Sequence, residues 1–227
     1  MIRGLVSAAK GMSQQSLKQD IIANNLANVA TAGYKRRTVA FGGFSSFLAE
    51  EAARNTTAVR DPRVMSRQDE SQGGLQTTNS KTNLAIEGPG FFVVQSANGD
   101  ELTRNGNFTM NDQGEIITSS GAKLMGQAGP ITVGRTDWQI DPSGRVTSGG
   151  ATVDNLRIVT RSGSGQISDV PDNEIKLVQG ALETSNVSPV REMISMMANL
   201  RAYEANQKTI QAIDNTLDKL INEAGKV

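Results

Sequence analysis

The sequence has neither histidine nor cysteine, so the side chains left for chemistry are carboxylates, hydroxyls, lysines and arginines. There is no imidazole base, no thiolate nucleophile or soft metal ligand, and no disulfide. The carboxylate pairs Glu50 with Glu51 and Asp69 with Glu70 are neighbours on the chain. Nothing in their spacing sets them across a cleft as an acid and a base, and a solvated surface accounts for them. Gly163, Ser164 and Gly165 form a nucleophile-like turn in outline only, without the fuller glycine framework or a base to activate the serine. The turns at Asn111 to Gly114 and Asp141 to Gly144 lack the alternating oxygen ligands and distant Glu of a calcium loop. No phosphate-cradling lysine loop or dinucleotide fingerprint occurs. Lys35, Arg36 and Arg37 make a cationic cluster, but one short run beside a single tyrosine, Tyr34, is too little for a nucleic-acid surface. No catalytic residue, cofactor, metal or nucleic-acid partner is expected.

What remains is contact surface, carried by helices at the two ends of the sequence. At the front, Ile2, Leu5, Ala9, Met12 and Ser16 follow the three-then-four spacing of a heptad seam, and Ile22, Leu26 and Val29 resume it with a drift. At the back, Tyr203, Asn206, Ile210, Ile213, Leu217, Leu220 and Ala224 hold the same rhythm unbroken. Val190, Met193, Met197 and Leu200 form an adjoining stripe. Ser188 followed by Pro189 reads as an N-cap and first helical residue, with Glu192 suited to the positive end of the dipole. Gly33 reads as the left-handed stop of the front helix. Isolated helices of this kind are marginal in water, so their apolar stripes predict burial against other helices. The expected interface residues are Leu5, Met12, Asn24, Leu26 and Asn28 in front. Behind, they are Met193, Met197, Leu200, Tyr203, Ile210, Ile213, Leu217 and Leu220. Asn24 and Asn28, one turn apart, are suited to fixing register. Arg201, Glu204 and Lys208 are spaced for ion pairs along the rear helix, worth a few tenths of a kcal/mol each at roughly this spacing.

The middle reads as strand. Residues 34–80 are polar, with a short rhythm at Phe41, Phe44 and Phe47, and are expected to form an extended connector arm beginning at Tyr34, Lys35 and Arg36. Leu84, Ile86 and Phe91 to Val94 read as strands around the Gly88, Pro89, Gly90 turn, and Asn98 with Gly99 signals a hairpin. A weak internal repeat matches Phe108, Met110, Asn111, Gly114 and Ile116 to Trp138, Ile140, Asp141, Gly144 and Val146. Each copy reads as a hairpin with Asn or Asp starting the turn and glycine closing it. Strands near Leu156 to Thr160 and Ile175 to Val178 complete a small sheet, sandwich or barrel.

Charge is uneven although the total is zero. Residues 1–60 hold 8 basic and 3 acidic residues, residues 61–188 hold 10 and 15, and the remainder holds 5 and 5. A basic front and acidic middle suit head-to-tail association of many copies. The N-terminus lacks the pattern of a cleaved secretory signal, and no stretch approaches a membrane span, so no membrane insertion is expected.

The end segments also carry a resemblance. ANNLANVATAGYKR, Ala23 to Arg36, closely resembles the N-terminal signature of the bacterial flagellar axial proteins, the rod, hook and hook-associated subunits. ETSNVSPVREMISMMANLRAYEANQKTIQAIDNTLDKL, Glu183 to Leu220, resembles their C-terminal signature. SQGGLQTTNSKTNLAIEGPGFFVVQ, Ser71 to Gln95, with LTRNGNFTMNDQGEI after it, resembles the middle region of the FlgF, FlgG and FlgE group. The resemblance implies an α+β fold: N- and C-terminal helices paired as a coiled-coil-like axial domain, residues 1–33 with 185–227, and a mainly antiparallel outer domain, residues 81–184. It implies a structural subunit of the hollow, torque-transmitting rod, polymerising with copies of itself and other rod subunits. It further implies export by the flagellar type III apparatus without a cleaved signal, a place in the periplasm-spanning basal body, and contact with its rings. The lack of hook-type insertions and the segment GQAGPITVG, Gly126 to Gly134, point to the proximal-rod FlgF branch, with the distal-rod FlgG branch next. The rivals from other classes are a rod-associated cell-wall hydrolase, which lacks a recognisable catalytic insertion here, and a soluble binding module, which leaves both end motifs unexplained.

Overall fold

The computed structural model describes residues 2–41, 64–134, 137–161, 166–170 and 176–224. Phe44, Phe47, the Glu50 and Glu51 pair, the Gly163 to Gly165 turn and Ile175 lie outside them. Helix α1 spans Ile2–Ala27 and helix α2 spans Pro189–Ala224, with sixteen strands between them among the described residues. The chain is α+β, as expected. It divides into two compact units: Met1–Ala27, Arg36–Asp69 and Val187–Val227 form the first, and Asn28–Lys35 with Glu70–Asn186 form the second. These boundaries fall elsewhere than the expected ones. The segment 34–80 is split, because β1 (Arg37–Phe41) and β2 (Val64–Gln68) pair antiparallel and belong with the helices.

In the first unit α1 and α2 run antiparallel. Gly4 lies against Ile213, Gly11 against Asn206, Gln15 and Gln19 against Asn199, and Asn25 against Glu192. The α1 seam differs from the expected one. Leu5 and Ala9 are exposed, and the inward residues are Ala8, Ile22 and Asn25, together with Gly4 and Gly11. Small residues set this choice. A Cβ at Gly4 would stand 3.4 Å from Ile213 and one at Gly11 only 3.0 Å from the Asn206 amide, so the helices approach through residues that have none. α2 begins at Pro189, where proline's missing N–H costs nothing. α1 gives way at Ala27 to turns, and Tyr34 N donates to Thr31 O.

The second unit is built on strands that bury their hydrophobic residues. Strand β5 (Phe91–Ser96) is central, pairing with β6 (Gly99–Thr103) on one edge and with β13 (Ile158–Arg161) and β9 (Lys123–Leu124) on the other. Its run Phe91 to Val94 is wholly buried, the continuous apolar pattern of a strand covered on both faces. Phe92 and Phe108 meet edge to face at 5.4 Å between centroids, among Leu84, Ile86, Ile116 and Leu124. The internal repeat is visible as geometry. Hairpin β7–β8 (Phe108–Met110, Ile116–Thr118) pairs Met110 with Ile116, and hairpin β10–β11 (Trp138–Ile140, Arg145–Ser148) pairs Ile140 with Val146. In each turn the glycine has a left-handed backbone, φ 81° at Gly114 and 89° at Gly144, and donates to the carbonyl of Asn111 or Asp141. Each of these glycine carbonyls in turn accepts from a later stretch of chain, Val133 N or Leu156 N, at 2.8 Å.

Candidate functional site: two buried carboxylates and an exposed helix face

Two glutamates nine positions apart on the chain organise polar clusters, one in each unit. In the second, Glu183 closes β16 (Ala181–Glu183) with a side chain 1% exposed. Its Oε1 accepts from Lys35 Nζ at 2.6 Å and Gly73 N at 2.9 Å, and its Oε2 from Arg104 Nη1 at 3.0 Å. Lys35 also donates to Ser71 O at 2.8 Å, and Arg104 to the carbonyls of Ile86 and Gly88. Burial pulls the Arg104 guanidinium below its ordinary pKa, against the opposing pull of Glu183. It lies 5.6 Å from the Phe91 ring centre, and its Nε has no partner. The cluster ties the loop after α1 to three parts of the β unit. Gly33 makes the loop possible: its φ of +66° is left-handed, and any Cβ there would run into the Arg104 backbone.

In the first unit Glu192, on the opening turn of α2, is also 1% exposed. Its Oε1 accepts from Arg36 Nε at 2.6 Å and its Oε2 from Asn25 Nδ2 at 3.3 Å. Asn25 grips Arg37 twice, donating to its carbonyl at 2.8 Å and accepting from its N–H at 2.9 Å, as a neighbouring strand would. α1, α2 and β1 are thereby fixed to one another. A second buried asparagine, Asn199, donates to Gln15 O at 2.8 Å and Gln19 Oε1 at 2.9 Å. Polar groups buried between helices specify register, since any slip leaves them unsatisfied.

Several expected residues fall in other roles. Asn24 is exposed and Asn28 half-buried, its Oδ1 accepting from Thr31 Oγ1 at 3.2 Å; the buried asparagines of the two helices are Asn25 and Asn199. Helical spacing alone marks either neighbour, and the tilt of the seam through Gly4 and Gly11 selects Asn25. Lys35 and Arg36, expected to open the connector arm, are both anchored, by Glu183 and Glu192. Arg201, Glu204 and Lys208 are all exposed, and no ion pair joins them among the described residues. Glu192, expected only to suit the helix dipole, is a buried anchor, and nothing in sequence marked Glu183 or Arg104.

The expected apolar interface divides into two faces at about 100° per residue. Ile210, Ile213 and Leu217, half-buried, continue the side of α2 that meets α1, while Met12 and Leu26 are half-buried on α1. Met193, Met197 and Leu200 point away from α1, 48%, 56% and 47% exposed, with Val190 and Ile194 beside them. Leu5 and Tyr203, each 36% exposed, and Leu220 at 48% complete the uncovered set. No group of acidic residues among those described is placed to hold a metal, and no described helix is long and apolar enough to cross a membrane.

An antiparallel pair of end helices that leaves large apolar residues in solvent, in a chain whose β unit buries most of its own, has the pattern of an assembly subunit. Three family models match the chain: a flagella basal body rod protein model over residues 5–35, a flagellar hook protein FlgE/F/G D1 domain model over residues 85–148, and a flagellar basal body rod FlgEFG protein C-terminal model over residues 178–223. The flagellar basal-body rod protein FlgG of Borreliella burgdorferi is 33% identical, covering 96% of this chain and 97% of that protein. FlgG of Buchnera aphidicola from Schizaphis graminum is 31% identical over 97% of this chain and 99% of its own length. The flagellar hook-basal body complex protein FlhO of Bacillus subtilis is 26% identical over the full length of both. The chain belongs to the flagellar basal-body rod FlgE/F/G family. It is a structural subunit that assembles with other rod subunits in the flagellar basal body, and not an enzyme. The expected leaning to the FlgF branch is not supported by these relatives, two of which are named FlgG.

Proposed function

We propose that the chain polymerises through its terminal helices into the hollow shaft of the rod and transmits torque along it. The observation that carries this reading is the uncovered apolar face of α2 from Val190 to Leu200, continuous over three turns and opposite the face that meets α1. The names of the relatives favour a distal-rod subunit of the FlgG type over a proximal one. The subunit is exported by the flagellar type III apparatus without cleavage and meets the surrounding rings in the periplasm. The expected residues Leu5, Met12, Asn24, Leu26, Asn28 and the rear-helix set remain its proposed assembly surface, with Tyr34, Lys35 and Arg36 at the junction beside it.

The test is Leu217→Asp with Leu220→Asp. Leu217 is half-buried and Leu220 exposed in the last turns of α2, outside the β unit, so the β unit stays folded. Charge placed in an apolar contact is costly, so the variant is lost from basal bodies. Normal rods built from it would refute the assigned surface.

A further inference from the structure

The two uncovered apolar regions of α2 differ in a way that makes them partners for each other. The outward stripe in the first half of the helix, Val190 to Leu200, is flanked by the exposed cations Arg191 and Arg201. In the last turns the uncovered residues are Leu220 and Ile221, 48% and 67% exposed, on or beside the side that meets α1. Ile213 still meets Gly4 there and Leu217 is half-buried, whereas Leu220 and Ile221 beyond them are exposed. Those turns are flanked by the exposed anions Asp214 and Asp218. Within one chain the two regions occupy distant turns of a straight 36-residue helix and cannot meet.

We infer that the outward stripe of α2 is the seat for the last turns of α2 from a second copy. The inference rests on the assembly reading above and adds to it a partner face and a direction. Apolar surface meets apolar surface, and Arg191 and Arg201 face Asp214 and Asp218 of the incoming helix. The two faces are different patches, so the contact is heterologous. Each bound copy presents a fresh seat and a fresh end, and the series extends along an axis instead of closing as a dimer. Two identical stripes placed face to face would set Arg191 and Arg201 against their own copies, which disfavours the symmetric alternative.

The chain has no cysteine, so single introduced thiols report contacts cleanly. Met193→Cys and Ile221→Cys, carrying different tags, are expressed together in cells lacking their own copy, and basal bodies are isolated and crosslinked. The expected result is a mixed Met193–Ile221 dimer at least tenfold above either like-with-like dimer. Dominant Met193–Met193 or Ile221–Ile221 dimers, or no crosslink in basal bodies that contain both variants, would overturn the inference. Absence of the unsubstituted chain from basal bodies would instead sink the assembly reading. A charge exchange tests the same contact without thiols. Arg191→Glu with Arg201→Glu, and separately Asp214→Lys with Asp218→Lys, each lower incorporation at least tenfold, and the fourfold exchange restores it. A fourfold variant as defective as either pair would also overturn the inference.

Discussion

The β unit and the helix pair solve burial in opposite ways. In the β unit Phe92, Phe108, Leu84 and Leu124 are essentially inaccessible, and even its charged residues Glu183, Lys35 and Arg104 are covered and matched. In the helix pair the buried set is small and partly polar, with Ala8, Ile22, Asn25, Glu192 and Asn199, while Val190, Ile194 and Met197 stand in solvent. One unit is complete by itself. The other uses polar contacts to fix how its helices lie and keeps its large apolar residues for something else.

The sharpest way to break that contrast is to remove each buried carboxylate in turn. Glu183→Ala strands two buried cations and should destabilise the β unit by about 3–5 kcal/mol, read by denaturant unfolding monitored at Trp138. Glu192→Ala should cost less, about 1–3 kcal/mol, because Arg36 keeps 27% of its side chain in solvent and can rehydrate. Equal losses would mean that the two anchors are not distinct in kind. Met197→Gln comes next: its effect on the isolated chain should stay within about 0.5 kcal/mol while incorporation into basal bodies falls. A large loss of monomer stability would show that the stripe is already covered.

The smallest expected effect concerns Glu115, whose carboxyl is held below its ordinary pKa by hydrogen bonds from Lys123 at 2.6 Å and Asn111 at 2.8 Å. A lowered folded-state value means that the contribution is present above the ordinary carboxylate pKa and is lost as pH falls through the folded value. An NMR titration should place the Glu115 midpoint below that of a free glutamate, and an ordinary midpoint would remove this contribution.

Much of this was legible in sequence for reasons that are local. Strands at Leu84, Phe91 and Ile158 follow from apolar runs bounded by turn residues. The paired hairpins at Asn111 and Asp141 follow from turn chemistry that needs glycine at one position. The start of α2 follows from Ser188 and Pro189. The anchors were not legible, because Lys35 and Glu183 lie 148 positions apart and Asn25 and Glu192 lie 167 apart. A buried salt bridge and a solvated charge have the same sequence signature. The α1 seam was misplaced by about one position because heptad counting weights large apolar residues, whereas Gly4 and Gly11 set the closest approach.

The division of the chain has a mechanical meaning as well. The backbone passes from one unit to the other after Ala27, Lys35, Asp69 and Asn186, so the two are stitched by four covalent crossings in place of a single tether. A proteolytic cut at any one crossing leaves three intact, and a twisting load divides among several strands of backbone. For the torque-bearing role proposed above, redundancy in the thread is a safeguard that no single linker provides.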